Sequence, residues 1–284
     1  MNHTRFSRYV AASRLAPAAT LPLRLGAVAR HCSTTVRSSA SWLVRSREHV
    51  HYSYDLEPRN QEHLAWFVAT ATGCRVDAAR GYMAELRDDE QLRRVITEGL
   101  VRSPRRATID PLLRYGRRIG WYAFVRALRP QFVVETGTNR GLGSAVMAAA
   151  LLRNGGGTLS TVDLDPRGGE LILPPYRQVV RHTVGDSLSF LNGLAERQQP
   201  IDLLVVDTGY TAEHERAELA AATPLLADHA VVIATKSYCW QELSGWSEDQ
   251  GRNFLHFAEE PRDHWYPGVG IGVSFPSVAA RAGR

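Results

Sequence analysis

The 284-residue sequence predicts an α/β fold, a doubly wound and mostly parallel sheet that follows an α-helical N-terminal half. Three observations predict it. After Pro130, apolar runs of strand length alternate with stretches of helix length, as in a parallel sheet covered on both faces. Before Pro130, apolar residues recur at three- and four-residue intervals. Between the first strand and the helix behind it, VVETGTNRGLGSA (133–145) breaks into small residues. A backbone that turns tightly and approaches a ligand closely needs such residues.

The first element is a basic arm. Residues 1–47 hold eight arginines, from Arg5 to Arg47, and no Asp or Glu. Such composition also marks organellar transit peptides. The arginine bias, however, runs through the whole chain, whose single lysine is Lys236. That bias points to a GC-rich, bacterial genome and favours a helical arm, packed on the body or on the second subunit of a homodimer. Without the arm, 26 basic residues stand against 29 acidic ones. A mildly acidic body carries no nucleic-acid footprint. No apolar run approaches the roughly 20 residues of a membrane span, so no membrane partner is expected. Cys32, Cys74 and Cys239 are odd in number and form no CxxC pair, which fits a reducing, cytoplasmic setting.

Residues 48–129 read as a helical lid subdomain. EPRNQEHLAWFVATATG ends on Gly73, suited to a helix C-terminus. Asp77 caps DAARGYMAELRDD, and EQLRRVITEGLVRS follows. After the loop SPRR, IDPLLRYGRRIGWYAFVRALRP reads as a last helix up to Pro130. Residues 130–284 form the α/β domain, with strands at 131–135, 158–163, 178–184, 202–207 and 230–235. A final apolar pair lies in HWYPGVGIGVSF (264–275). Helices fit at 141–153, 187–197 and 211–226.

Ligands in such sheets bind outside the carboxyl ends of the strands. Those ends read Glu135, Asp163, Gly185-Asp186-Ser187 and Asp207. Four strands thus bring an acid to one edge, which repels phosphate and suits a cationic ligand with an adenosine and an amino group. The glycine order excludes the dinucleotide fingerprint GxGxxG, and no lysine follows as a P-loop requires. One such Asp is often only a helix cap; four in order are not.

With ExGxNxG at 135–141 and these acids in sequence, residues 130–276 resemble the class I S-adenosylmethionine (SAM)-dependent methyltransferases, a Rossmann-like fold. The resemblance implies SAM as cosubstrate. Gly137 and Gly141, with Thr138 between them, would let the backbone approach it. Asp163 would take the ribose hydroxyls, Asp186 with Ser187 the adenine amino group, and Glu135 would face the methionine end. Arg117 and Arg118 in RYGRR would hold the methionine carboxylate. A cluster of Tyr52, Tyr54, Tyr115, Trp121, Tyr122 and Tyr176 would supply core and a lid for the sulfonium.

Two departures bear on the reaction. The middle glycine of the motif is Asn139, either a side chain aimed at the methionine end or a residue tolerant of left-handed backbone. Relatives that hold a divalent metal use an Asp after strand four and an Asp-Asn pair after strand five. Here Asp207 stands alone before Ala234-Thr235-Lys236-Ser237, so no metal is expected. Lys236 is then either a general base, neutralised by burial, or a salt-bridge partner of Asp207. His214 reads as a surface histidine, and His49 and His51 as packing or capping groups that would reach the site if REHVHYSYD folds over it.

The expected function is metal-independent methyl transfer to a small, natural-product-like acceptor. The alternative resembles bacterial azetidine-2-carboxylate synthases, in which the SAM amine attacks its own γ-carbon and methylthioadenosine leaves. Asn139 would orient that amine and Tyr176 would face the sulfonium. A non-catalytic SAM-binding partner is the third class, and the full set of SAM-side acids argues against it.

Overall fold

The computed structural model describes residues 20–49, 52–196, 199–209 and 211–277, which leaves His51 outside the described residues. Two compact units are present. One comprises helix α1 (Leu21–Arg45) together with Asp263–Tyr266; the other begins at Arg47 and holds every remaining element. In the first unit Trp42 meets Trp265 edge-on at 5.4 Å between ring centroids and His264 at 6.3 Å.

The second unit starts with α2 (Pro58–Thr72), α3 (Val76–Arg87), α4 (Glu90–Arg102) and α5 (Arg118–Leu128). Pro58 opens α2, and Gly73 closes it in the left-handed conformation, as expected of a glycine there. Asp77 is not the cap of α3: Arg75 holds that place, and Asp77 lies in the first turn, paired with Arg80 at 2.5 Å. Asp89 caps α4 instead, accepting from the Leu92 N–H at 2.8 Å. The helix read at 109–130 is confined to 118–128. Before it, Pro111 and the left-handed Gly116 (φ +52°) break the run into turns.

The sheet has seven strands: β1 (Phe132–Thr136), β2 (Thr158–Asp163), β3 (Val180–Val184), β4 (Ile201–Val206), β5 (Leu226–Ala234), β6 (Asn253–Phe257) and β7 (Ile271–Phe275). Their order is β3-β2-β1-β4-β5-β7-β6. The first five are parallel, and β7 inserts antiparallel between β5 and β6. β6, from NFLHF, was not legible as a strand; it is a short edge with a polar start. The crossovers run through α6 (Leu142–Asn154), α7 (Ser187–Ala195) and α8 (Ala212–Ala222), and α9 (Glu242–Asp249) precedes β6.

Alternation along β1 and β4 divides the core. Phe132, Val134, Leu204 and Val206 pack with Leu191, Leu219 and Leu243 from α7, α8 and α9. Val133 and Glu135 point to the opposite face, where α5 packs on α6. Trp121, Tyr122 and Phe124 of α5 are fully buried there. Among the described residues, no helix is long and apolar enough to cross a membrane.

Candidate active site

Strand order reverses between β1 and β4, so the crevice at their carboxyl ends is the switch point of the sheet. The glycine turn lies in it. Gly137 and Thr138 donate their N–H groups to the Val162 carbonyl at 2.9 and 3.2 Å, and Thr138 Oγ1 meets Thr161 Oγ1 at 2.6 Å. Asn139 follows with φ +48°, and its N–H donates to Asp163 Oδ2 at 2.6 Å. Asp163 also accepts the Asp165 N–H at 2.8 Å through its other oxygen. One carboxylate thus clamps the turn, yet each oxygen keeps a lone pair for a ligand.

The glycines answer first to the protein itself. Gly137 has φ +89°, and a β-carbon there would lie 2.5 Å from the Asp207 carbonyl oxygen; at Gly141 (φ +88°) it would lie 2.7 Å from Ile172. The protein's own packing thus already requires these bare positions. The 164–175 loop folds across the turn, with the Gly169 and Leu171 N–H groups bonded to the Asn139 and Arg140 carbonyls at 2.8 Å. Arg140 pairs with Glu170 at 2.8 Å and Arg105 with Glu170 at 3.5 Å, while Ser103 donates to Glu170 at 3.0 Å. The helical segment thereby fixes the loop.

The strand-end acids separate into two kinds. Glu135 is 1% exposed and does not reach the crevice. It accepts hydrogen bonds from Ser144 and, at 2.7 Å, from Thr161, and a side chain at Gly143 would strike both it and the Trp121 ring. Burial pushes its carboxyl up to about 7, against the pull of those hydroxyls. Asp163, Asp186 and Asp207 are solvent-reachable along the rim, with Gly137, Asn139 and Lys236. Asp186 caps α7, taking the Ser189 N–H at 2.8 Å, and that backbone bond holds it below the usual carboxylate range. Ser187 is buried, and its hydroxyl meets His214 Nε2 at 3.0 Å. His214 is therefore not a plain surface residue: it also lies 3.5 Å from the wholly buried Glu218, which accepts from Thr208 at 2.6 Å.

Asp207 pairs with Arg117, not with Lys236. Arg117 Nη2 lies 3.3 and 3.5 Å from the two Asp207 oxygens, and Thr235 donates to Oδ1 at 2.5 Å. Lys236 makes no ion pair among the described residues; its field falls on Glu215, whose carboxyl is raised chiefly by burial. Arg117 and Arg118 sit 5.5 and 5.8 Å from the Trp121 ring centroid, and burial is the main cause lowering the Arg118 pKa. Tyr176 is buried on the α6 side, where Asp89, Arg94 and Arg153 are its charged neighbours. Nothing among the described residues joins it to Asn139 or Asp207, so it is not placed as a sulfonium-facing group. Tyr122 is likewise core, donating to Glu85 at 3.2 Å, and His49 is exposed.

Glu259 is the member of the site that sequence reading missed. Buried to 7% exposure, it accepts from Tyr54 OH (3.1 Å), the Arg117 N–H (3.0 Å), and the Val269 and Gly270 N–H groups (2.9 and 2.8 Å). It joins the 52–56 strap, the start of α5 and the approach to β7, and so sets where Arg117 begins. The one signal in the sequence is the GVG at 268–270: both glycines have positive φ, and a β-carbon at Gly268 would lie 2.5 Å from Glu259. Among the described residues, no group of three or more His, Cys, Asp or Glu is placed to hold a metal.

Sheet order, glycine turn and rim acids together make this the α/β fold of class I methyltransferases. Residues 134–234, from within β1 to the end of β5, match a family model described as a methyltransferase domain. Solved structures similar to this chain include a methyltransferase from Geobacter sulfurreducens, at 23% identity over 55% of this chain and 75% of that one, TM-score 0.42. Another is the O-methyltransferase TomG of Streptomyces achromogenes, solved with SAM, at 16% identity over 67% and 91%, TM-score 0.47. An O-methyltransferase from Bacillus cereus, solved with SAH, shows 14% identity over 66% and 91%, TM-score 0.44. Likeness at this level carries nothing about substrate. No curated protein matches the chain.

Proposed function

We propose that the chain binds SAM at the β1–β4 crevice and transfers its methyl group to a small acceptor without a metal. The observation that carries this reading is the rim itself: Asp163, Asp186 and Asp207 reach solvent around a left-handed glycine turn at the switch point. Their chemistry fits the cosubstrate. Asp163 retains acceptor capacity for a diol, and the exposed Asp186 retains lone pairs beyond its capping bonds for an exocyclic amine. The Arg117–Asp207 pair is the complement of an α-amino acid: its guanidinium would take a carboxylate and its carboxylate an ammonium. When bound, SAM supplies an electrophilic methyl on a sulfonium. The chain's own part is to orient and to exclude water, with Trp121 and Tyr54 backing Arg117 from the dry side.

Calorimetry with SAM, followed by mass spectrometry of SAM incubated with the protein alone, tests this. Asp163→Asn keeps one acceptor for the Asn139 N–H and removes the charge, and is expected to weaken SAM binding about tenfold. Absence of SAM binding by the folded protein sinks the proposal. Binding with SAM left intact supports transfer to an acceptor. Conversion of SAM alone into methylthioadenosine and azetidine-2-carboxylate replaces transfer with cyclisation.

A further inference from the structure

We infer that α1 is an interfacial helix that seats this chain on an anionic lipid surface. Its 25 residues make a rod of about 37 Å. Leu21, Leu25, Val28, Cys32, Val36 and Leu43 recur at spacings of three, four and seven residues, which places them on one side. That side is bare. Leu25, Val28, Val36 and Leu43 are 59%, 59%, 65% and 72% exposed. Ser39 falls in the same stripe, but its hydroxyl donates back to the Thr35 carbonyl at 2.7 Å and offers little to water. Trp42, on another flank, packs against His264 and Trp265 in the same unit.

Charge selects the occupant. The helix carries Arg24, Arg30, Arg37 and Arg45, all exposed and all off the apolar stripe, and no acidic residue. The opposite face carries serines and exposed Leu23 and Val44 near its two ends, but its only charges are arginine, the pattern of a helix lying in the headgroup layer. A second copy of α1 on the stripe would bring four more guanidinium groups into the same rod with no carboxylate to relieve them. Anionic headgroups relieve them, by roughly fivefold in partitioning for each arginine near the surface. The absence of a spanning helix does not bear on this, because an interfacial helix spans nothing.

The test is flotation of the full chain with vesicles of phosphatidylcholine alone or mixed with phosphatidylglycerol. Circular dichroism and size-exclusion light scattering of the same samples report fold and oligomeric state. The chain is expected to float with the mixed vesicles and not with the neutral ones. Leu25→Asp with Val36→Asp, both on exposed positions, should lower the bound fraction at least tenfold. Arg30→Gln with Arg37→Gln should lower it roughly twentyfold, as high salt should. Failure to float, flotation indifferent to lipid charge, or flotation untouched by the stripe variant overturns the inference. A dimer that the stripe variant dissolves assigns the face to a second copy and overturns it as well.

Discussion

Glu135 makes the stability of this protein depend on pH through one buried carboxyl. It is 1% exposed, hydrogen-bonded to Ser144 and Thr161, and raised from 4.5 to about 7. At 1.36 kcal/mol per pH unit, that rise is worth about 3 kcal/mol. Near pH 4 the carboxyl is protonated in both the folded and unfolded chain, and its stabilising share is fully present. Between about pH 4.5 and 7 the unfolded carboxyl ionises first, so folding stability falls as pH rises; above about 7 the loss is complete. Glu135→Gln keeps the shape and an acceptor but cannot ionise. Urea unfolding of both proteins across this range isolates the residue, since every other titrating group cancels in the difference. Wild type should lose about 3 kcal/mol relative to the Gln variant from about pH 4 to about pH 8. Two parallel curves would refute the reasoning, because they would mean that Arg118 or solvent stabilises the charged form enough to undo the burial.

Substitutions at three further positions test the site as built. Gly137→Ala meets the Asp207 carbonyl in a left-handed backbone; about 3 kcal/mol of destabilisation is expected from strain and overlap, read as a lower urea midpoint. Glu259→Ala leaves Tyr54 OH and three backbone N–H groups without their acceptor and should cost more than about 3 kcal/mol. Glu259→Gln, which still accepts, should recover part of that loss in the same unfolding assay. Asp186→Ala removes the α7 cap and should cost about 1 kcal/mol of stability. Asp186→Asn still caps, so any SAM affinity it loses by calorimetry reports the charge at the rim.

Local rules made much of this chain legible. Apolar runs bounded by Gly and Pro marked β1, β2 and β4 within two residues at either end, because such runs have no other place to be buried; β3, partly exposed, was marked by its valines and by Gly185 after it. Left-handed glycine closed α2, and the acids appeared at the strand ends in order. β6 and α9 escaped because short, mixed-polarity segments carry no clear period, and the helix read at 109–117 failed because Pro111 and Gly116 outweigh its apolar spacing.

Strand direction and chain order alone bring a glycine turn and several carboxylates to one sheet edge. Which of those carboxylates face solvent depends on packing. Val133 and Glu135 share a face, and it is the packing of α5 against α6 that turns this face into interior and shuts Glu135 beneath Trp121. Likewise, Arg117 rather than Lys236 pairs with Asp207 because Glu259, 142 residues away in the chain, fixes the start of α5. Contacts across that sequence distance are set by how helices and sheet pack, and no local pattern encodes them.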